Sequence, residues 1–169
     1  GQLEVLKRAH ANGCPWDLDT CTGAARGGHL EVLQGVRANG CPWDQLTCAY
    51  AAQGGHFEAL QWARANGCPW NEETCARAAL GGHLEVLQWA RANGCPWDEK
   101  VMFIAAGFGH ETVLRALIEA GADVNKAADD GWTPLRVAAY KGHETMVRAL
   151  IEAGVDVDKA RDNGVTLLS

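Results

Sequence analysis

The sequence predicts an all-α fold, an α-solenoid of stacked helix pairs, and three observations carry that expectation. Asn-Gly-Cys-Pro-Trp occurs four times, ending at Trp16, Trp43, Trp70 and Trp97, always 27 positions apart. A Gly-His pair keeps the same step at His29, His56, His83 and His110, and the next, at His143, follows after 33. Between these markers the apolar residues fall at helical spacing and are interrupted by glycines. A fixed period of this size marks a repeat array, whose units bury their apolar faces only against one another.

The unit from Asn71 to Trp97 illustrates each element in order. Glu72, Glu73 and Thr74 open a first helix with acidic residues, where the helix dipole favours them. Cys75, Ala78 and Ala79 follow at i, i+3 and i+4, a narrow face of small residues. Gly81 and Gly82 end that helix, because glycine readily takes the left-handed conformation past a C-terminus. A second helix is expected from about His83 to Ala92, with Leu84, Val86, Leu87 and Ala90 on its apolar side. Asn93 and Gly94 stop it, and Pro96 prevents its resumption.

The 169 residues contain 47% hydrophobic side chains, ample for burial, and no apolar run approaches the roughly 18 residues of a membrane span. A net charge of −6 with arginines scattered singly excludes sequence-independent nucleic-acid binding, which rests on basic patches. The seven cysteines fall in two periodic rows, Cys14, Cys41, Cys68 and Cys95 and then Cys21, Cys48 and Cys75. Stacked helices lie roughly 8–10 Å apart, beyond the reach of a disulfide within a row, so reduced thiols and an intracellular, cytoplasmic location are expected.

From Ala105 onward the chain contains Thr133-Pro134-Leu135, then Ala138, Ala139, Gly142 and His143, and Gly121-Ala122-Asp123-Val124-Asn125. This pattern strongly resembles the ankyrin repeat, with its Thr-Pro-Leu helix start, Ala-Ala-x-x-Gly-His turn and Ala-Asp-Val-Asn link. Arg136 departs from the histidine usual in the family at that position, and Gly131 sits where the family turns its projecting β-hairpin. Aligned on Gly-His, the 27-residue units resemble shortened ankyrin repeats. Cys75 falls on Leu135, Ala78 and Ala79 on Ala138 and Ala139, and Gly94–Trp97 on Gly121–Val124. The six missing residues are those of the hairpin. The resemblance implies short units over residues 1–97, the first partial, and transitional and 33-residue units over 98–169, the last partial. It implies β-hairpin loops only in the longer units, between about Val124 and Thr133 and again near Asp158 to Thr166. The chain is expected to be a segment of a longer protein.

Rows of Cys and His invite a metal reading, but C-x6-C-x7-H lacks the close-spaced knuckle and four convergent ligands of a structural zinc site. Packing explains the cysteines, as small buried hydrophobes. A histidine at every equivalent position is a mark of geometry, since one active site needs only one, and each is expected to hydrogen-bond across the turn. No nucleophile–base set, His-Glu-x-x-His pair or phosphate loop stands out, so no enzyme, cofactor, metal or small-molecule substrate is expected. Trp43, Trp70 and Trp97 align with Val124 and Val157 and are read as core, each ring contributing about 2–3 kcal/mol on burial. Trp62 and Trp89 align with Gly35, Ala116 and Ala149, so they are placed on an outer edge.

Functional information in an array sits where the copies differ. A first-helix row (Gly23, Tyr50, Arg77, Ile104, Val137), a helix-end row (Arg26, Gln53, Leu80, Gly107, Tyr140) and the links vary while the frame stays fixed. Tyr50, Arg77, Phe108, Trp132, Tyr140 and Lys141 are the expected partner contacts, of the aromatic and cationic types enriched in interface hot spots. Phe108 stands where the short units have Gly27, Gly54 and Gly81, so packing does not require it. The expected function is a protein-interaction module or scaffold binding through a concave face. The alternative is a passive spacer or adaptor array within a larger protein.

Overall fold

A computed structural model describes residues 2–157 of the chain. These residues form eleven helices and no strand. The chain divides into two compact units, Gly1–Pro96 and Trp97–Ser169, each with its own set of helices.

The first unit holds α1 (Gln2–Ala11), α2 (Leu18–Arg26), α3 (Leu30–Ala38), α4 (Gln45–Gln53), α5 (Phe57–Ala65), α6 (Glu72–Leu80) and α7 (Leu84–Ala92). The first helices stack on one another, with α4 between α2 and α6. Each packs on the second helix that follows it: α2 on α3, α4 on α5, α6 on α7. α3 also packs on α1 and α5. The interface between first helices is made of small residues, since Cys21, Cys48, Cys75, Ala25, Ala52 and Ala79 are all fully buried. Leu33, Leu60 and Val36 supply the larger apolar volume from the second helices.

Each first helix begins at a polar cap. Asp17 accepts from the Thr20 amide while the Thr20 hydroxyl accepts from the Asp17 amide, a closed capping box. Asp44 and Asn71 accept from the amides of Leu46 and Glu73. The helix pair then turns through two glycines, closed by the His56 amide on Ala51 O and the His83 amide on Ala78 O, both at 2.9 Å. Gly55 has φ +70°, and a Cβ there would lie 2.6 Å from the His83 imidazole, so both conformation and space require glycine.

The second unit holds α8 (Lys100–Phe108), α9 (Glu111–Glu119), α10 (Pro134–Tyr140) and α11 (Glu144–Glu152). α10 packs on α8 and α11, and α9 on α8 and α11. Pro134 occupies the first turn of α10, where its missing N–H costs nothing, and Thr133 caps that helix through the Arg136 amide. In the long link the Ala128 amide bonds Trp132 O and the Gly131 amide bonds Ala128 O, both at 2.8 Å, closing a tight turn at Gly131 (φ +78°). The short links have no such excursion. The further hairpin expected near Asp158 to Thr166 lies outside the described residues.

Candidate functional site

The periodic histidines His56, His83 and His143 act as staples between first helices. His56 Nε2 lies 2.9 Å from the carbonyl of Arg26, and His83 Nε2 3.0 Å from that of Gln53. In the second unit His143 Nε2 lies 3.0 Å from the carbonyl of Gly107. Each ring thus takes a carbonyl at the end of the preceding first helix, one that intrahelical bonding leaves unpaired. These histidines are structural.

All seven cysteines are free thiols, six of them buried and Cys14 exposed. The close pairs join the two rows: Cys21 with Cys41, and Cys48 with Cys68. Cys21 Sγ reaches Cys41 O at 3.9 Å and Cys48 Sγ reaches Cys68 O at 4.0 Å. Cys41, Cys68 and Cys95 donate back to the carbonyls of Asp17, Asp44 and Asn71, at 3.2–3.3 Å. Burial, helped by the Cys41 thiol, pushes Cys21 up to about 12. Cys48 is raised by its hydrogen bond to Cys68 and by burial. Cys21 and Cys48 therefore stay protonated, whereas hydrogen bonds with Cys48 and Cys75 hold Cys68 and Cys95 below the usual thiol range, and burial rather than protonation shields those two. Among the described residues no group of three or more His, Cys, Asp or Glu side chains could hold a metal.

The Trp43 and Trp70 rings depart from the expected core placement. Both are half-buried, and so is Trp97. Arg37 covers Trp43 with its guanidinium 4.4 Å from the ring centroid, and Arg64 covers Trp70 at 4.1 Å. The same two guanidinium groups donate to the carbonyls of Cys41 and Cys68. His10 repeats the device upstream, stacked on Trp16 at 4.2 Å and bonded to Cys14 O. Trp62 meets Trp43, and Trp89 meets Trp70 and Phe57, edge to face at 5.6–5.7 Å. The physical reason is the charge four residues before each Cys. It must stay near water to remain solvated, so the ring beneath it forms the edge of the core, not its centre.

The variable rows come together within each unit. In the first, the guanidinium groups of Arg77 and Arg26 approach the Tyr50 ring at 4.4 Å and 5.5 Å. Arg77 also bonds Glu73 Oε1 and Gln53 Oε1, both at 2.8 Å. Tyr50 and Arg77 are half-buried. In the second unit Trp132 and Tyr140 meet edge to face at 5.4 Å. Arg136 lies over Trp132 at 4.4 Å and Lys141 lies 5.9 Å from the Tyr140 centroid. Tyr140 is 74% exposed and Phe108 59%, and Lys141 is exposed. Phe108 is the last residue of α8. Arg26, Gln53 and Arg136 were absent from the expected contact set. The first two were visible in the helix-end row, and Arg136 in its departure from the family histidine.

Two stacked layers of helix pairs, glycine turns and histidine staples are the frame of one known repeat, and residues 75–161 match the family model for ankyrin repeats, in three copies. The chain belongs to the ankyrin repeat family. A comparison with curated proteins finds no match. Ankyrin repeats are generally protein–protein interaction modules and typically not enzymes. No described helix is long and apolar enough to cross a membrane. The first ankyrin-like units, before Cys75, lie outside the matched stretch. There Cys-Pro-Trp, with its covering arginine, stands in place of the longer link.

Proposed function

We propose that this ankyrin repeat chain binds a protein partner through the face that carries its variable first-helix and link residues. The carrying observation is the division of labour in the first unit. Cys, Ala, Leu and Val rows are buried, while the row that changes from copy to copy gathers at the surface as Arg26, Tyr50, Gln53, Glu73 and Arg77. Aromatic and arginine side chains held by neighbouring groups suit recognition, because little rotamer freedom is lost on binding. Trp132, Tyr140, Lys141 and Phe108 offer a second group of the same types.

In this reading the units form an α-solenoid, with short units over 1–97 and longer ones over 98–169. The turn at Gly131 is the tip of the loop that projects Trp132 as a β-hairpin does in the family. The partner contacts are Tyr50, Arg77, Phe108, Trp132, Tyr140 and Lys141, and the free thiols suit a reducing intracellular compartment. Affinity capture tests it. Tyr50→Ala, Arg77→Ala and Tyr140→Ala together should reduce partner recovery at least tenfold, about 1.4 kcal/mol, while circular dichroism stays helical. Undiminished capture would leave the array as a spacer.

A further inference from the structure

In the first unit the last turns of α2, α4 and α6 and the glycine turns after them, residues 23–29, 50–56 and 77–83, contain no aspartate or glutamate. They carry two arginines, Arg26 and Arg77, one on each helix beside α4. α4 itself, Gln45–Gln53, has no charged residue along its length. In a chain of net charge −6 this edge is locally cationic.

The two guanidinium groups turn toward one ring. Arg26 lies 5.5 Å and Arg77 4.4 Å from the centroid of Tyr50, so both side chains sit on the α4 side of their own helices. Glu73 and Gln53 steady Arg77, each at 2.8 Å, and among the described residues the Glu73 carboxylate is the only one that meets either guanidinium. The exposed Arg26 guanidinium meets the ring alone, and the Tyr50 hydroxyl makes no hydrogen bond among the described residues. The helix dipole favours a cation in a last turn, which accounts for each arginine separately. It does not account for their convergence on a neutral helix, where like charges repel.

We infer that this edge receives an acidic segment of the partner protein, with one carboxylate seated between Arg26 and Arg77 against Tyr50. The inference rests on the interaction face proposed above and names the chemistry that face selects. A carboxylate has acceptors for both guanidinium groups, and such charge-assisted bonds are the strong ones. The Tyr50 hydroxyl supplies a further donor. Gln53 and Glu73 already orient Arg77, so it loses little freedom on binding. The net charge of −6 repels an acidic segment from the molecule at large, so its attachment reports this edge and not a general attraction.

The probe is a short fluorescein-labelled peptide of alternating glutamate and serine, and its control has glutamine at every glutamate. Fluorescence anisotropy should show saturable binding of the glutamate peptide to the intact chain and none of the glutamine peptide. Arg26→Gln copies the residue that Gln53 places at the equivalent point of the next layer. It should weaken binding about tenfold or more, as should Arg77→Gln, each the loss of a charge-assisted hydrogen bond. Arg8→Gln, on α1, should leave binding unchanged. No saturable binding, equal binding of the glutamine peptide, or an equal loss with Arg8→Gln overturns the proposal. If Arg77→Gln loses helicity, Arg26→Gln decides, and unchanged affinity there overturns it. Tighter binding of a labelled oligothymidine would assign the two arginines to phosphate and overturn the acidic segment. An inert peptide, with partner capture still reduced by the Tyr50→Ala, Arg77→Ala and Tyr140→Ala chain, would overturn the acidic preference alone. Undiminished capture would overturn the interaction face and this inference with it.

Discussion

Tyr50 and Arg77 show how one residue can serve frame and surface together. Arg77 touches Tyr50, Gln53 and Glu73 at once, and the contacts to Tyr50 and Gln53 join α6 to α4. An exposed cation–π contact is worth about 0.5–1 kcal/mol, and a half-exposed ion pair such as Arg77–Glu73 about as little. These bonds position the side chains more than they stabilise the stack. The cysteines are the opposite case, residues whose burial removes their chemistry. Under native conditions near pH 8 a thiol reagent should titrate Cys14 rapidly and leave the other six to react only on denaturation. Mass-spectrometric mapping of the label decides it, because fast reaction at Cys21 or Cys48 would contradict their buried, protonated state.

At the scale of an element, the short link is held by an arginine where a long unit uses a turn. Arg64 covers Trp70 and bonds the carbonyl of Cys68, tying the end of α5 to the Cys-Pro-Trp segment. Arg64→Ala should destabilise the chain by about 1–2 kcal/mol, from one cation–π contact and one charged hydrogen bond. Thermal unfolding followed by tryptophan fluorescence checks this, with a native emission shifted to the red as Trp70 meets water. An unchanged melting curve would show that Cys68 and Pro69 hold the link without it. His10, in the same position before Cys14, keeps the carbonyl bond and the ring stack with an imidazole in place of the guanidinium.

For the first unit as a whole, the repeated rows make the layers interchangeable. Deleting residues 44–70 brings Trp43 to Asn71 and sets α6 on α2 and α7 on α3. His83 then meets the carbonyl of Arg26, which His56 bonded before. Such arrays are stabilised by each unit and its nearest neighbours, so the shortened chain should stay helical, with a lower melting temperature and cooperative unfolding. A chain that no longer folds would mean that contacts beyond nearest neighbours are required.

The local sequence determined most of this architecture. Asp17, Asp44, Asn71 and Thr133 at helix starts, paired glycines at the turns, and Pro96 after a second helix are signals that act within a few residues. They are read without knowing what packs where, and the helices follow them closely. The family, too, was legible in Thr133-Pro134-Leu135 and Gly142-His143. What the tertiary structure decided was which residues of different units meet. Spacing along the chain says only that cysteines of one row lie a full layer apart; stacking is what brings Cys21 to Cys41 and Cys48 to Cys68. The alignment of Trp43 and Trp70 with valine placed both in the core. Only packing showed the arginines above them, which hold both rings at the boundary with water. Arg26 stands 24 residues before Tyr50 and Arg77 27 residues after it, separations over which no local signal acts; stacking one helix on the next makes each a neighbour of Tyr50.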